Sequence, residues 1–135
     1  MREMIPWFDA TKKQKIDRWE HVLKVLKGLT PHEKKSHFTM ATWAEETDCG
    51  TVACAAGFCG FDEWFNKRGF QLIFSIKHNQ YTTPAKSLDI PTYVIDFFGA
   101  VGTRSIFFNT TPRPITEVIR EVTSYTKALK ESLHD

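Results

Sequence analysis

A chain of 135 residues is long enough to bury a real core and too short to hold two of them, so a single domain is expected. Hydrophobic content of 41% and charged content of 25% are ordinary for a soluble globular protein, and no stretch approaches the length needed to span a membrane. A net charge of +2 gives no argument for a nucleic-acid partner.

The aromatic content is unusual in kind, with 11 Phe and 4 Trp against 3 Tyr, which implies a heavy apolar core and rings to spare for a contact surface. Charge is spread unevenly. Lys12, Lys13, Lys15, Arg18, Lys24, Lys27, Lys34 and Lys35 crowd the first quarter, while Glu45, Glu46, Asp48, Asp62 and Glu63 flank the centre. Solvated helix faces are the plain reading of such runs, and a site for an acidic partner is the functional one. Three cysteines without an export signal point to a reducing compartment, so the cytoplasm is expected.

Residues 1–9 read as a short extended arm, with Pro6 against a helix and Ile5, Trp7 and Phe8 apolar enough to dock. Asp9 is a candidate N-cap for a helix running to about Lys27, stopped by Gly28. Ile16, Trp19, Val22, Leu23 and Leu26 recur at helical spacing, leaving the lysines on the opposite face. Thr30-Pro31-His32-Glu33 has the form of a capping box opening a single turn. Residues 37–43 then form an extended connector anchored by Phe38, Met40 and Trp43, and residues 44–48 form an acidic surface loop.

The segment from Asp48 to Phe61 holds every cysteine. Gly50 lets the chain turn, Thr51 caps a helix, and Val52 to Cys59 is a run of small apolar residues suited to a helix buried on most sides. Gly60 lets the chain leave it. Asp62 caps a second short helix, Glu63 to Arg68, closed by Gly69. Residues 70–76 are the best strand candidate, with Phe70, Leu72, Phe74 and Ile76 sharing one side, and a turn at 77–80 would pair them with 81–83. A connector at 84–89 leads to a helix from Ile90 to Phe98, with Tyr93, Val94, Phe97 and Phe98 inward and Gly99 as terminator. Thr103 can cap a further turn through Ile106 and Phe107. Residues 109–114 are a rigid entry to the last helix, Ile115 to about Leu133, whose Val118, Ile119, Val122, Tyr125 and Leu129 share a side.

The order of these features is familiar: Phe38, Met40 and Trp43, then Cys49, Gly50, Thr51, Cys54 and Gly57, then Phe97-Phe98-Gly99, Ile106-Phe107-Phe108 and a proline-initiated final helix. Together they resemble a group of small uncharacterised prokaryotic and phage proteins with a Cys-Gly-Thr-x-Ala-Cys-x-Ala-Gly signature. The resemblance covers roughly residues 20–130, and it implies a mostly helical fold and a bacterial or phage source without a settled activity. The chain departs from the pattern at Phe58-Cys59, where Trp and a small residue are expected. A more local likeness joins residues 48–54 to the nucleophile segment of papain-like bacteriocin-processing peptidases, in which Asp-Cys-Gly opens a helix. A helix N-terminus stabilises a thiolate, which would make Cys49 the nucleophile. The downstream histidines, His78 and His134, lack the expected surroundings, and Asp48 beside the thiol opposes its ionisation.

Other chemistries fit less well. Cys49, Cys54 and Cys59 lie five apart, against the closer pairs of structural zinc sites, and neither His37 nor His78 is called for by the spacing. An oxidative switch through Cys49 and Cys54 needs their sulfurs to approach closely. Glu45 and Glu46 are adjacent, not opposed across a cleft, and no glycine-rich phosphate loop is present. Amides after Gly50 could still hold an anion at a helix start, with Thr51 beside them and Trp43 as a stacking surface. The basic first helix lacks the base-edge side chains of a groove reader.

The expected fold is therefore mainly α (α+β), a compact helical domain around a short buried central helix with a small β-hairpin. The expected function is non-catalytic: a binding or inhibitor protein of bacterial or phage origin, such as a counter-defence factor that blocks a host protein or sequesters a nucleotide. Its ligand-binding residues would be Trp43, Gly50 and Thr51, with a protein or a small anion as partner and no metal, cofactor or membrane. The alternative is a hydrolase or transferase using Cys49.

Overall fold

The computed structural model describes residues 4–29, 44–47, 50–77, 80–84, 89–108 and 114–132, and for 44–47 and 50–53 the backbone alone. The expected capping box at Thr30, the anchors Phe38, Met40 and Trp43, the thiol of Cys49 and the histidines His32, His37, His78 and His134 lie outside the described residues, as do the connector 85–88 and the entry 109–113.

Helix α1 spans Lys12–Lys27. Its cap is Thr11, not Asp9: the Gln14 amide donates to Thr11 Oγ1 at 3.1 Å, and the Thr11 amide donates back to Gln14 Oε1 at 2.8 Å. This reciprocal box satisfies two helix-end donors at once. Asp9 instead ends a 3-10 turn, Trp7–Asp9, that follows Pro6. The inward face of α1 carries Arg18, Trp19, Val22 and Leu26.

Strands β1 (Ala44–Thr47) and β2 (Gly50–Ala53) pair antiparallel, Ala44 opposite Ala53 through Thr47 opposite Gly50. The residues expected as a loop and a helix start thus form a hairpin. Thr51 and Val52 are β-branched and favour the extended state, and ladder hydrogen bonds from 44–47 outweigh the short helical run. Helix α2 is correspondingly short, Ala55–Gly60, with Cys54 as its cap residue. It is buried as its small side chains suggest, at Ala55, Ala56, Gly57, Cys59 and Gly60. A Cβ at Gly60 would stand 2.6 Å from Leu72 Cγ, so glycine there permits the close approach in which the Leu72 amide donates to Gly60 O at 3.1 Å.

Helix α3, Glu63–Asn66, is capped by Asp62, whose carboxylate accepts from the Phe65 amide at 3.4 Å. The chain then turns at Gly69 (φ 91°) into β3 (Ile73–Ser75), paired antiparallel with β4 (Gln80–Thr82). The expected one-sided alternation holds for Phe70 and Leu72, which are buried, and fails at Ile76, which is 87% exposed. Helix α4, Ile90–Phe98, has Asp89 as cap and ends at Gly99, whose φ of 86° suits glycine. A helical turn α5, Ala100–Gly102, runs directly into a π turn, Thr103–Phe107. Thr103 therefore sits inside a helical run and not at its start; it is fully buried, and its Oγ1 has no hydrogen-bond partner among the described residues. Helix α6 spans Ile115–Ser132 and buries Ile115, Val118, Val122, Thr126 and Leu129.

Helix α1 is the common neighbour: it packs along α6, and also against α2 and α4. Trp19 lies at the centre, with ring centroids of Phe98, Phe107 and Tyr125 at 5.3, 5.1 and 4.9 Å. Two consecutive α1 side chains also complete the end of α4. Arg18 Nη1 donates to Phe97 O at 2.9 Å, and Trp19 Nε1 donates to Phe98 O at 3.1 Å. These are carbonyls that a helix C-terminus leaves without intrahelical partners. Arg18 Nη2 reaches Ile5 O at 2.8 Å, tying the leading segment to the same junction. The architecture is a mainly helical α+β domain with small antiparallel hairpins. Among the described residues no helix is long and apolar enough to cross a membrane.

Candidate functional site

Two residues expected to bind a ligand, Gly50 and Thr51, lie in β2, where Thr51 is paired with Glu46. The helix start that motivated them lies at Ala55, beyond the rest of the strand. An anion held by amides after Gly50 would therefore meet a sheet ladder and not a helix N-terminus. The same displacement removes the helix end that was to acidify Cys49. Trp43, the third expected contact, is outside the described residues.

Both described cysteines, Cys54 and Cys59, are buried thiols outside any disulfide. Burial pushes the Cys54 thiol up to about 11 despite amides nearby that favour the thiolate. Burial raises Cys59 well above its ordinary value, with Asp62 and Cys54 adding to the effect. Neither is a ready nucleophile or metal ligand, since both roles need the thiolate. Among the described residues no group of three His, Cys, Asp or Glu could hold a metal ion.

The side chains that do converge at a surface are elsewhere. A groove of about 670 Å³ runs between α1 and the segment carrying α2 and α3, lined by His21, Lys24, Phe58, Phe61, Asp62 and Trp64 among others. Helix α1 contributes His21, Lys24 and Val25, with its C-cap Gly28 continuing the stripe at i, i+3, i+4 and i+7 beside the buried face. The opposite wall follows from the Asp62 cap, which fixes the start of α3 and hence the direction of Trp64.

His21 is held from three sides. Its Nε2 stands 3.0 Å from Asp62 Oδ2, its ring stacks on Trp64 at 4.3 Å and 13°, and it meets Phe65 edge-on at 5.2 Å. Burial lowers its pKa; the charge and hydrogen bond of Asp62 oppose this, and the positive charges of Lys24 and Arg68 reinforce it. At neutral pH the ring is therefore neutral, with the Nε2 proton donated to Asp62 and Nδ1 left as an acceptor. The Arg68 guanidinium lies 3.6 Å from the Trp64 ring and donates to Trp64 O at 2.9 Å.

An imidazole oriented by a carboxylate is half of an acid–base pair, and also a common way to tie two helices together. Among the described residues that line this groove there is no Ser, Thr or Cys, so no hydroxyl or thiol stands beside the pair there. What the arrangement offers is recognition: the exposed ring of Phe61, cations and one imidazole acceptor. Sequence reasoning misses His21 because it looks for histidines that could serve the cysteines. The signal that could have found it is the i, i+3, i+4, i+7 stripe of α1 set against the Asp62 cap. Comparison with protein-family models, with curated proteins and with solved structures gives no match.

Proposed function

We propose that this is a non-catalytic binding protein, acting by occupying a partner and not by turnover, and that the groove between α1 and α3 is its binding surface. The observation that carries the reading is the lining: aromatic and basic side chains around a His21 already engaged by Asp62, with no hydroxyl or thiol among the described lining residues. The sealed thiols of Cys54 and Cys59 support it, because the chemistry that cysteine-rich segments most often perform needs an accessible thiolate. With the signature that runs from Cys49 to Gly57, the context we favour is an inhibitor of bacterial or phage origin. It would work in the cytoplasm, blocking a host protein or sequestering a nucleotide in counter-defence.

Native mass spectrometry of the purified protein tests this, with a retained small molecule or polypeptide expected. Substitution of Cys49 provides the second arm. Cys49→Ala and Cys49→Ser should both leave binding unchanged, whereas loss of turnover in both with substrate binding preserved would establish the cysteine-dependent enzyme instead.

A further inference from the structure

The carboxylates around the groove are largely spoken for. Lys13 engages Asp17 at 2.8 Å, Lys130 engages Glu20 at 2.9 Å and Lys67 engages Glu63 at 3.1 Å, while Asp62 is held by the neutral His21 at 3.0 Å through a hydrogen bond and not an ion pair. Lys24 and Arg68 have no carboxylate within ion-pair distance among the described residues, and both lie near enough to His21 to add, after burial, to the lowering of its pKa. They are also brought together spatially. A second hollow of about 530 Å³ adjoins the groove, sharing His21, Lys24 and Trp64 with it and adding Arg68 together with the Lys13–Asp17 pair and Glu20, which Lys130 engages. Lys24 and Arg68 thus bring two cations without a carboxylate partner to the place where the two hollows meet, and Val25, Leu29, Phe58 and Phe61 give the groove its apolar lining.

We propose that the groove binds a small planar anion, an aryl or nucleoside phosphate, with its ring against Phe61 and Phe58 and its phosphate at the Lys24–Arg68 junction. This deepens the binding reading above and rests on it. Phosphate suits two cations approached from different elements, a flexible Lys and a planar Arg fork. A planar ring suits Phe61, which is 36% exposed and leans on Tyr81 at 5.2 Å, so one ring already supports it from behind. The volume falls in the range typical of single small ligands.

Isothermal titration calorimetry on the full chain tests the proposal with adenosine monophosphate, phenyl phosphate, adenosine and inorganic phosphate as probes. Saturable binding of one or both ring-bearing phosphates is expected. Adenosine and inorganic phosphate should each bind at least about tenfold more weakly, since each lacks one half of the recognition. Preference for the nucleotide over phenyl phosphate, or the reverse, identifies the source of the ligand. Lys24→Glu with Arg68→Glu changes only exposed positions and should weaken binding by about tenfold or more; because Arg68→Glu also gives up the contacts with Trp64, circular dichroism checks that the variant keeps the parent fold. The proposal is overturned if neither ring-bearing phosphate saturates the protein, or if the double variant binds as tightly as the parent. It is likewise overturned if native mass spectrometry shows an acidic polypeptide that the double variant releases. That last result would leave the binding function standing and remove only the small ligand.

Discussion

Asp62 serves two elements with one carboxylate, capping α3 through the Phe65 amide and holding His21 of α1. Because burial holds the folded-state pKa of His21 below its ordinary value of 6.5, the unfolded chain takes up the proton first as pH falls. The stabilising contribution of neutral His21 is therefore complete above pH 6.5 and declines below it, levelling off once the folded form also protonates. Denaturant unfolding of the parent and of His21→Gln across this range should show a steeper acid loss in the parent. Parallel curves would mean that His21 titrates alike in both states. This pair is only half legible in the sequence. Asp62 announces itself as a cap, whereas its second partner is brought in by packing of α1 against α2, which no local pattern encodes.

At the scale of elements, periodicity is a sound guide where it is strong. The inward stripes of α1, α4 and α6 follow from apolar spacing, and Gly28 and Gly99 end their helices as expected, whereas the helix before Gly69 stops at Asn66 and not at Arg68. What escapes it is pairing at a distance. Residues 44–47 have no alternating apolar pattern, and their strand exists because 50–53 runs alongside. Arg18 likewise reads as one more surface cation, although its guanidinium lies 4.0 Å from the Phe97 ring and its pKa is lowered to about 10, by burial first and then by Arg68. Arg18→Met keeps much of the apolar stem but removes both carbonyl contacts, and should lower stability by about 1.5–3 kcal/mol. Arg18→Lys should recover part of that loss, because a single ammonium cannot reproduce the two-pronged geometry. Chemical denaturation of the three proteins measures it, and equal stability of Arg18→Met and the parent would show that solvent satisfies those carbonyls just as well.

For the molecule as a whole, the placement of the thiols is the most direct check on the architecture. Cys54 and Cys59 are 2% and 0% exposed, so under native conditions a thiol reagent should reach Cys49 at most. Labelling of the other two should appear only as the chain opens, at rates that rise with denaturant. Mass spectrometry after timed alkylation counts the modified sites, and rapid native labelling of all three would contradict a sealed α2. The burial of this segment is legible from its small residues and bracketing glycines. The point at which strand gives way to helix is not, since Thr51-Val52-Ala53 is compatible with both states and tertiary pairing decides.

The bond from Arg18 to the Ile5 carbonyl and the seating of Trp7 on Gly99, where a Cβ would lie 2.7 Å from the indole, make the leading residues a fastener for the helical body. An affinity tag or fusion partner joined immediately upstream therefore pulls on a point of structural attachment. Trimming the front back to Ala10, which keeps the Thr11 cap, would strip Arg18 of one acceptor and uncover Gly99, so a shortened chain would melt earlier even though every α-helix had been left whole.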